Sequence, residues 1–273
     1  SYITGQYDTA VDYYKKSIDL LEEIGHKKSI AISRCNLGCV YYHKGFLKKA
    51  QKNHSIMFKI AEELKDKILI AYAHKWLGTV KREMGQFKEA IEHHKKNLIT
   101  MKKISNKMFA AEAWNDLGIT YTMAGKYGEA LKSFTESLDI AEKSNDSAHI
   151  MTTNYYIMKM LLMQNKLEEA EKCMKVINEK ELIDNAAPDE KIDILITFTE
   201  YYLKTGEIEK SLYYAETAIK ESEKLQSELF AALAYLNLAQ VKAKRKSPHE
   251  KDIKKYFEEA IAILQSLESD AVY

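Results

Sequence analysis

The chain has 273 residues, with 41 Lys and Arg against 40 Asp and Glu, and this balance argues against bulk attraction to nucleic acid or an anionic membrane. Three cysteines make an odd number, too few for a disulfide framework, so the composition reads as that of a reducing, cytoplasmic compartment. No apolar run approaches the ~20 residues of a membrane span, no low-complexity tail is present, and Ser1-Tyr2-Ile3-Thr4-Gly5 does not read as a signal peptide.

Along the chain one pattern recurs every forty residues. Gly5-Gln6-Tyr7, Gly45-Phe46-Leu47, Gly85-Gln86-Phe87 and Gly125-Lys126-Tyr127 mark the beat; Asn165-Lys166-Leu167 keeps it and Gly206-Glu207-Ile208 arrives one residue late. A small residue follows each mark: Ala10, Ala50, Ala90, Ala130, Ala170 and Ser211. A fixed period in this range is the signature of a stacked repeat array. Within one period the pattern is helical twice. Ile32, Cys35, Leu37, Cys39, Val40 and Tyr41 predict a helix ending near His43. Leu47, Ala50, Ile56, Met57, Ile60, Ala61 and Leu64 predict its partner. Glycine closes the first helix because it reaches positive φ cheaply. The small residue sits where the two helices cross. Toward the C-terminus, Pro188 suits a first helical turn, and Ser247-Pro248-His249-Glu250 reads as a capping box. No strand-like alternation occurs.

These residues resemble the tetratricopeptide repeat. The fourth copy is the clearest, with Trp114, Leu117-Gly118, Tyr121, Gly125, Tyr127, Ala130, Phe134 and Leu138; Leu37-Gly38 and Leu77-Gly78 repeat its centre, whereas Ile157-Met158 and Phe198-Thr199 depart from it. The period exceeds the usual ~34 residues, and such long repeats look like those of kinesin light chains, Pins-type adaptors, Rap-type regulators and maltose-type transcription activators. The resemblance implies an all-α, right-handed superhelical solenoid of antiparallel helix pairs. Its expected divisions are a partial repeat at 1–28 and repeats near 29–66, 67–106, 107–146, 147–186, 187–227 and 228–268, forming a single array (1–268) with a tail at 269–273. Ser1–Thr4 read as the end of a helix whose body is missing, and the last residues stop where another would begin. The expectation is a segment of a longer protein. Trp114, Leu117, Tyr121, Ala130 and Phe134 are expected in the core.

In a solenoid of this kind the first helix of each pair lines the concave wall. Positions two before, two after and five after the central Leu then face the groove. They are Cys35, Cys39 and Tyr42; Lys75, Thr79 and Arg82; Asn115, Ile119 and Thr122; Tyr155, Lys159 and Leu162; and Ile196, Glu200 and Leu203. The expected partner-binding set is Tyr42, Lys75, Thr79, Arg82, Asn115, Ile119, Thr122, Tyr155 and Lys159. Lys75, Arg82 and Lys159 would grip an acidic segment or a C-terminal carboxylate, with Asn115 on the peptide backbone.

Other chemistry is sparse. Cys35, Cys39 and His43 share one helix face, but their spacing is not that of a zinc knuckle, and they read as structural. His54 and His94 occupy the slot of Tyr14 and Phe134 and read as aromatic substitutes in the core. No phosphate loop, nucleophile elbow or HExxH occurs, so no enzyme, metal or cofactor is expected. Lys242, Lys244, Arg245 and Lys246 read as a solvated helix end. The functional expectation is a non-catalytic module binding a protein or peptide, without nucleic acid or membrane. The alternative is a sensory or regulatory repeat domain controlling a missing effector.

Overall fold

The computed structural model describes residues 7–225, 228–244 and 250–270. The expected turn at Gly5, the capping box starting at Ser247 and the Arg245-Lys246 part of the basic cluster lie outside them. Among the described residues all regular structure is helical. Eight helices come first: α1 (Tyr7–Glu23), α2 (Lys27–His43), α3 (Leu47–Glu63), α4 (Lys67–Glu83), α5 (Phe87–Lys103), α6 (Lys107–Met123), α7 (Tyr127–Lys143) and α8 (Ser147–Met163). The rest are α9 (Leu167–Met174), α10 (Glu179–Asn185), α11 (Pro188–Thr205), α12 (Ile208–Leu225), α13 (Glu228–Ala243) and α14 (Glu250–Asp270). Two compact units result, one ending at Met160 and the other beginning at Leu161.

In the first unit the backbone repeats at half the interval of the side-chain pattern. Each of α1 to α8 is seventeen residues long. Every connection ends its helix on a left-handed residue, in chain order Gly25, Gly45, Lys65, Gly85, Ser105, Gly125, Asn145 and Asn165. The hydrogen bonds are those of a Schellman turn. Gly45 N–H donates to Tyr42 O at 2.9 Å and Phe46 N–H to Tyr41 O at 2.8 Å; Lys65 and Asp66 donate in the same way to Glu62 and Ala61. Such short connections make neighbouring helices antiparallel.

The two kinds of turn start the next helix differently. Within a repeat, Phe46, Gln86, Lys126 and Lys166 stand at the N-cap with no side-chain hydrogen bond. Between repeats, Asp66 caps Ile68 and Leu69, Asn106 caps Phe109, and Asp146 accepts from His149 N–H. A side-chain oxygen there satisfies amides that the helix leaves unpaired.

Packing follows the expected crossing. Ala10, Ala50, Ala90, Ala130, Ala170 and Ser211 are all buried, and the Ser211 hydroxyl donates to Thr199 O at 2.8 Å. A ring lies over the glycine of the first helix in three successive repeats: His54 on Gly38, His94 on Gly78 and Phe134 on Gly118. Leu117, Ala130 and Phe134 are buried as expected, but Trp114 and Tyr121 are only partly so. Lys102 Nζ stands 4.6 Å above the Trp114 ring, so that face of the indole is covered by a cation and not by core.

In the second unit the fifth repeat departs from the pattern. Its second helix breaks into α9 and α10, with Asn178 capping the restart by accepting from Glu181 N–H. Glu179 then fastens α10 to the following pair. Tyr202 Oη donates to its Oε1 at 2.8 Å, Lys210 Nζ pairs with the same oxygen at 3.1 Å, and Tyr214 Oη donates to Oε2.

The ring-on-glycine contact is testable by two alanine substitutions. A β-carbon at Gly118 would meet the Phe134 ring at 2.4 Å, whereas one at Gly128 meets nothing within 4 Å. Gly118→Ala should cost about 1–3 kcal/mol by overpacking, and Gly128→Ala should gain up to about 1 kcal/mol as helix entropy is recovered. Melting curves of the two variants should shift in opposite directions.

Candidate functional site

The first helices of the first unit touch directly, α2 against α4 and α4 against α6. Their facing residues therefore form one wall. The residues expected to line it are Tyr42 on α2; Lys75, Thr79 and Arg82 on α4; Asn115, Ile119 and Thr122 on α6; and Tyr155 and Lys159 on α8. Tyr42, Lys75, Ile119 and Lys159 are partly exposed, whereas Thr79, Arg82, Asn115, Thr122 and Tyr155 are buried.

The cations on this wall already have partners. Lys75 Nζ makes a short ion pair with Glu112 of the next repeat, and the attraction of Asp116 and Glu112 outweighs burial to hold its pKa above the usual value. Arg82 Nε pairs with Glu83 Oε1 at 3.0 Å. Its Nη1 atom is buried without a hydrogen-bond partner, as is Asp116 Oδ2. Burial pushes the Asp116 carboxyl up in pKa, while Lys75 and Arg82 oppose that rise.

Asn115 is also engaged within the protein. Its Nδ2 donates to Thr153 Oγ1 at 2.9 Å, its Oδ1 accepts from the same hydroxyl at 3.2 Å, and His149 Nε2 lies 3.2 Å away. Thr122 donates back to Gly118 O at 2.9 Å. The amide expected to meet a peptide backbone thus joins α6 to α8. Tyr42 meets Trp76 edge to face at 6.1 Å, a contact between α2 and α4.

The partners Glu112, Asp116, His149 and Thr153 are absent from the expected set. Glu112 could have been found, because it precedes Asn115 by three residues and so shares its helix face. Asp116, adjacent to the central Leu, gives no such signal.

Histidines form a second feature of this unit. His54 and His94 are fully buried, and neither ring nitrogen of either has a hydrogen-bond partner. His54 stacks on Trp76, with ring centroids 5.6 Å apart. These imidazoles fill the phenyl slot of the array, as the repeat pattern predicts. His74 Nδ1 and His93 Nδ1 lie 2.9 Å apart and share one hydrogen bond. Burial, then His93 and Lys96, bring His74 down to a pKa of about 4. Burial, followed by Arg82, His93 and Lys75, takes His94 well below its ordinary value. Burial leads the lowering of His93 as well, with Lys96 and Lys81 adding to it against Glu89 and Glu92.

Among the described residues no cluster of three or more His, Cys, Asp or Glu could hold a metal ion. No described helix is long and apolar enough to cross a membrane.

A family model described as tetratricopeptide repeat matches residues 69–143. That stretch carries the tetratricopeptide repeat. A model described as anaphase-promoting complex subunit 5 also matches, over residues 1–84 and 119–181. Comparison with curated proteins returns no match.

Solved structures share the fold at low identity. A Rap protein complexed with Competence and Sporulation Factor superposes with a TM-score of 0.69 at 16% identity, covering 96% of this chain and 71% of its own. Aspartyl phosphate phosphatase F from Bacillus subtilis gives 0.62 at 17% identity, over 97% of this chain and 67% of that one. The STAND protein with a tetratricopeptide repeat sensor from Pyrococcus horikoshii gives 0.60 at 19%, over 95% of this chain and 40% of that one.

The imidazoles of His74, His93 and His94 predict an acid-sensitive fold. An unfolded chain protonates them near pH 6.5, whereas the folded chain holds His74 neutral down to about pH 4. Their contribution is complete above pH 6.5 and is lost as pH falls toward 4, by at most about 1.4 kcal/mol per pH unit for each imidazole. Melting temperatures measured across that window should fall. His94→Phe, which copies Phe134, should raise stability and flatten the decline; an unchanged slope would remove His94 from the account.

Proposed function

We propose that this chain is a non-catalytic interaction module that binds a peptide segment along the wall of α2, α4, α6 and α8. The observation that supports the reading is the direct contact of α2 with α4 and of α4 with α6, the helices that carry the partly exposed Tyr42, Lys75 and Ile119. Ile119 and Tyr42 would supply apolar contact. Thr79, Arg82, Asn115, Thr122 and Tyr155 would shape and stiffen the surface from beneath. Lys75 and Lys159 would meet acidic or carboxylate groups, with a carboxylate of the partner replacing Glu112 on Lys75. That exchange trades one ion pair for another, so it favours specificity over affinity. The Rap protein complexed with Competence and Sporulation Factor supports the reading by fold, since a chain of this architecture accepts a bound factor.

A second reading keeps the same wall and places it in a sensory or regulatory domain that controls an effector. The repeat sensor of the Pyrococcus horikoshii STAND protein, similar over 95% of this chain, favours it. An effector domain adjoining the repeats in the parent protein would decide for it.

A peptide selected from a random display library on the full chain supplies the probe, with affinities measured by calorimetry. Ile119→Glu and Lys75→Met should each weaken binding by about 1–3 kcal/mol, and added salt should weaken it further. Lys96→Glu, on the outer face, should change little. Equal losses from all three variants, or none from the wall variants, would move the site elsewhere.

A further inference from the structure

The near balance of charge over the whole chain conceals an uneven distribution among the second helices of the repeats in the first unit. Helix α1 carries five acidic residues against Lys15 and Lys16, and α7 carries four against Lys132 and Lys143. The two helices between them in the stack are reversed. Helix α3 has four lysines against Glu62 and Glu63, and α5 has five against Glu89 and Glu92. Two of those four carboxylates are occupied, Glu63 by Lys27 at 2.7 Å and Glu89 by Lys81 at 2.7 Å. The lysines gather on matching sides of the two helices. Lys48, Lys52 and Lys59 fall at helical spacing on α3, and Lys88, Lys95 and Lys96 do so on α5, with Lys48 and Lys88 at equivalent positions of consecutive repeats. All six are exposed, and among the described residues none of them has an ion pair or a ring beneath it. Lys49 and Lys102 differ, standing 4.7 Å from the Phe46 ring and 4.6 Å from that of Trp114. Both helices pack against α4, away from the contacts that α4 makes with α2 and α6.

We propose that the lysine face of α3 and α5 is a second interaction surface, independent of the wall, that takes an acidic segment of a protein partner. Charge complementarity sets the sign of the occupant, and the surroundings set its size. The face is bounded in the stack by the acidic helices α1 and α7, so a long polyanion or a bilayer laid across it would meet like charge on both sides. A short run of Asp and Glu side chains would not. Each helix has seventeen residues, a length of ~25 Å, which about eight residues of extended chain can follow. The side chains agree with this choice. Neither helix contains an arginine, the residue whose planar fork matches phosphate. No Phe, Tyr or Trp of either helix is exposed, so no platform for stacking bases is present on them. A lysine ammonium is a compact point charge on a flexible stem and pairs with a carboxylate from many directions. Each such exposed pair contributes little alone, so binding depends on several acting together and weakens as salt rises.

The test measures fluorescence anisotropy of a labelled oligo-glutamate peptide, about ten residues long, titrated with the full chain at low ionic strength. The triple variant Lys52→Glu, Lys59→Glu, Lys95→Glu should bind it at least tenfold more weakly, with circular dichroism and melting temperature unchanged. Lys132→Glu on α7 should leave the affinity within twofold, and so should Lys75→Met on α4, which separates this surface from the wall. A short DNA duplex and vesicles of anionic lipid, titrated under the same conditions, should bind more weakly than the peptide. Equal loss from Lys132→Glu and the triple variant would reduce the effect to net charge and overturn the proposal. So would loss from Lys75→Met alone, which would place the acidic segment on the wall, or tighter binding of the duplex or the vesicles, which would make the occupant a phosphate polyanion.

Discussion

The first unit depends on one backbone constraint, a left-handed residue at the end of every helix. It reverses the chain in three residues, so each helix must lie antiparallel against the one before. With helix length and turn length both constant, every side chain meets its neighbours at the same height in each repeat. Close packing of small residues at the crossings then becomes possible, and so does the seating of a ring on the glycine of the facing helix. The wall is a consequence of the same constancy, because it brings equivalent faces of α2, α4 and α6 together.

On the proposed reading the wall carries function without dedicated chemistry. Its charged and amide side chains are spent on neighbouring repeats: Lys75 on Glu112, Asn115 on Thr153. Partly buried pairs of this kind contribute less to stability than to register, since desolvation offsets much of their attraction. The partly exposed side chains among the expected set are then Tyr42 and Ile119 together with Lys75 and Lys159. This is a different electrostatic object from a row of open positive charges.

Much of the fold was legible because glycine, alanine and the Leu-Gly pair are forced by geometry wherever two helices cross. The turns between repeats carry no such mark, since Lys65, Ser105 and Asn145 adopt positive φ without glycine. Their signature lay one residue on, in Asp66, Asn106 and Asp146, which cap the following helix. The break between α9 and α10 was hidden for a similar reason: residues 175–178 contain neither Gly nor Pro, and Asn178 caps a helix only seven residues long. At the candidate site the sequence placed the residues on α2, α4, α6 and α8. It did not show that Lys75, Arg82 and Asn115 were engaged, because their partners lie between one and 38 positions away and only a folded stack brings them together.

Hydrogen–deuterium exchange of the full chain, with and without the display-selected peptide, bears most directly on the claim that the first helices form the binding wall. The account predicts added protection in α2, α4 and α6, where the peptide would cover the wall and stiffen the stack, with α3, α5 and α7 unchanged. Protection confined to α3, α5 and α7, or to the turns between repeats, would contradict it.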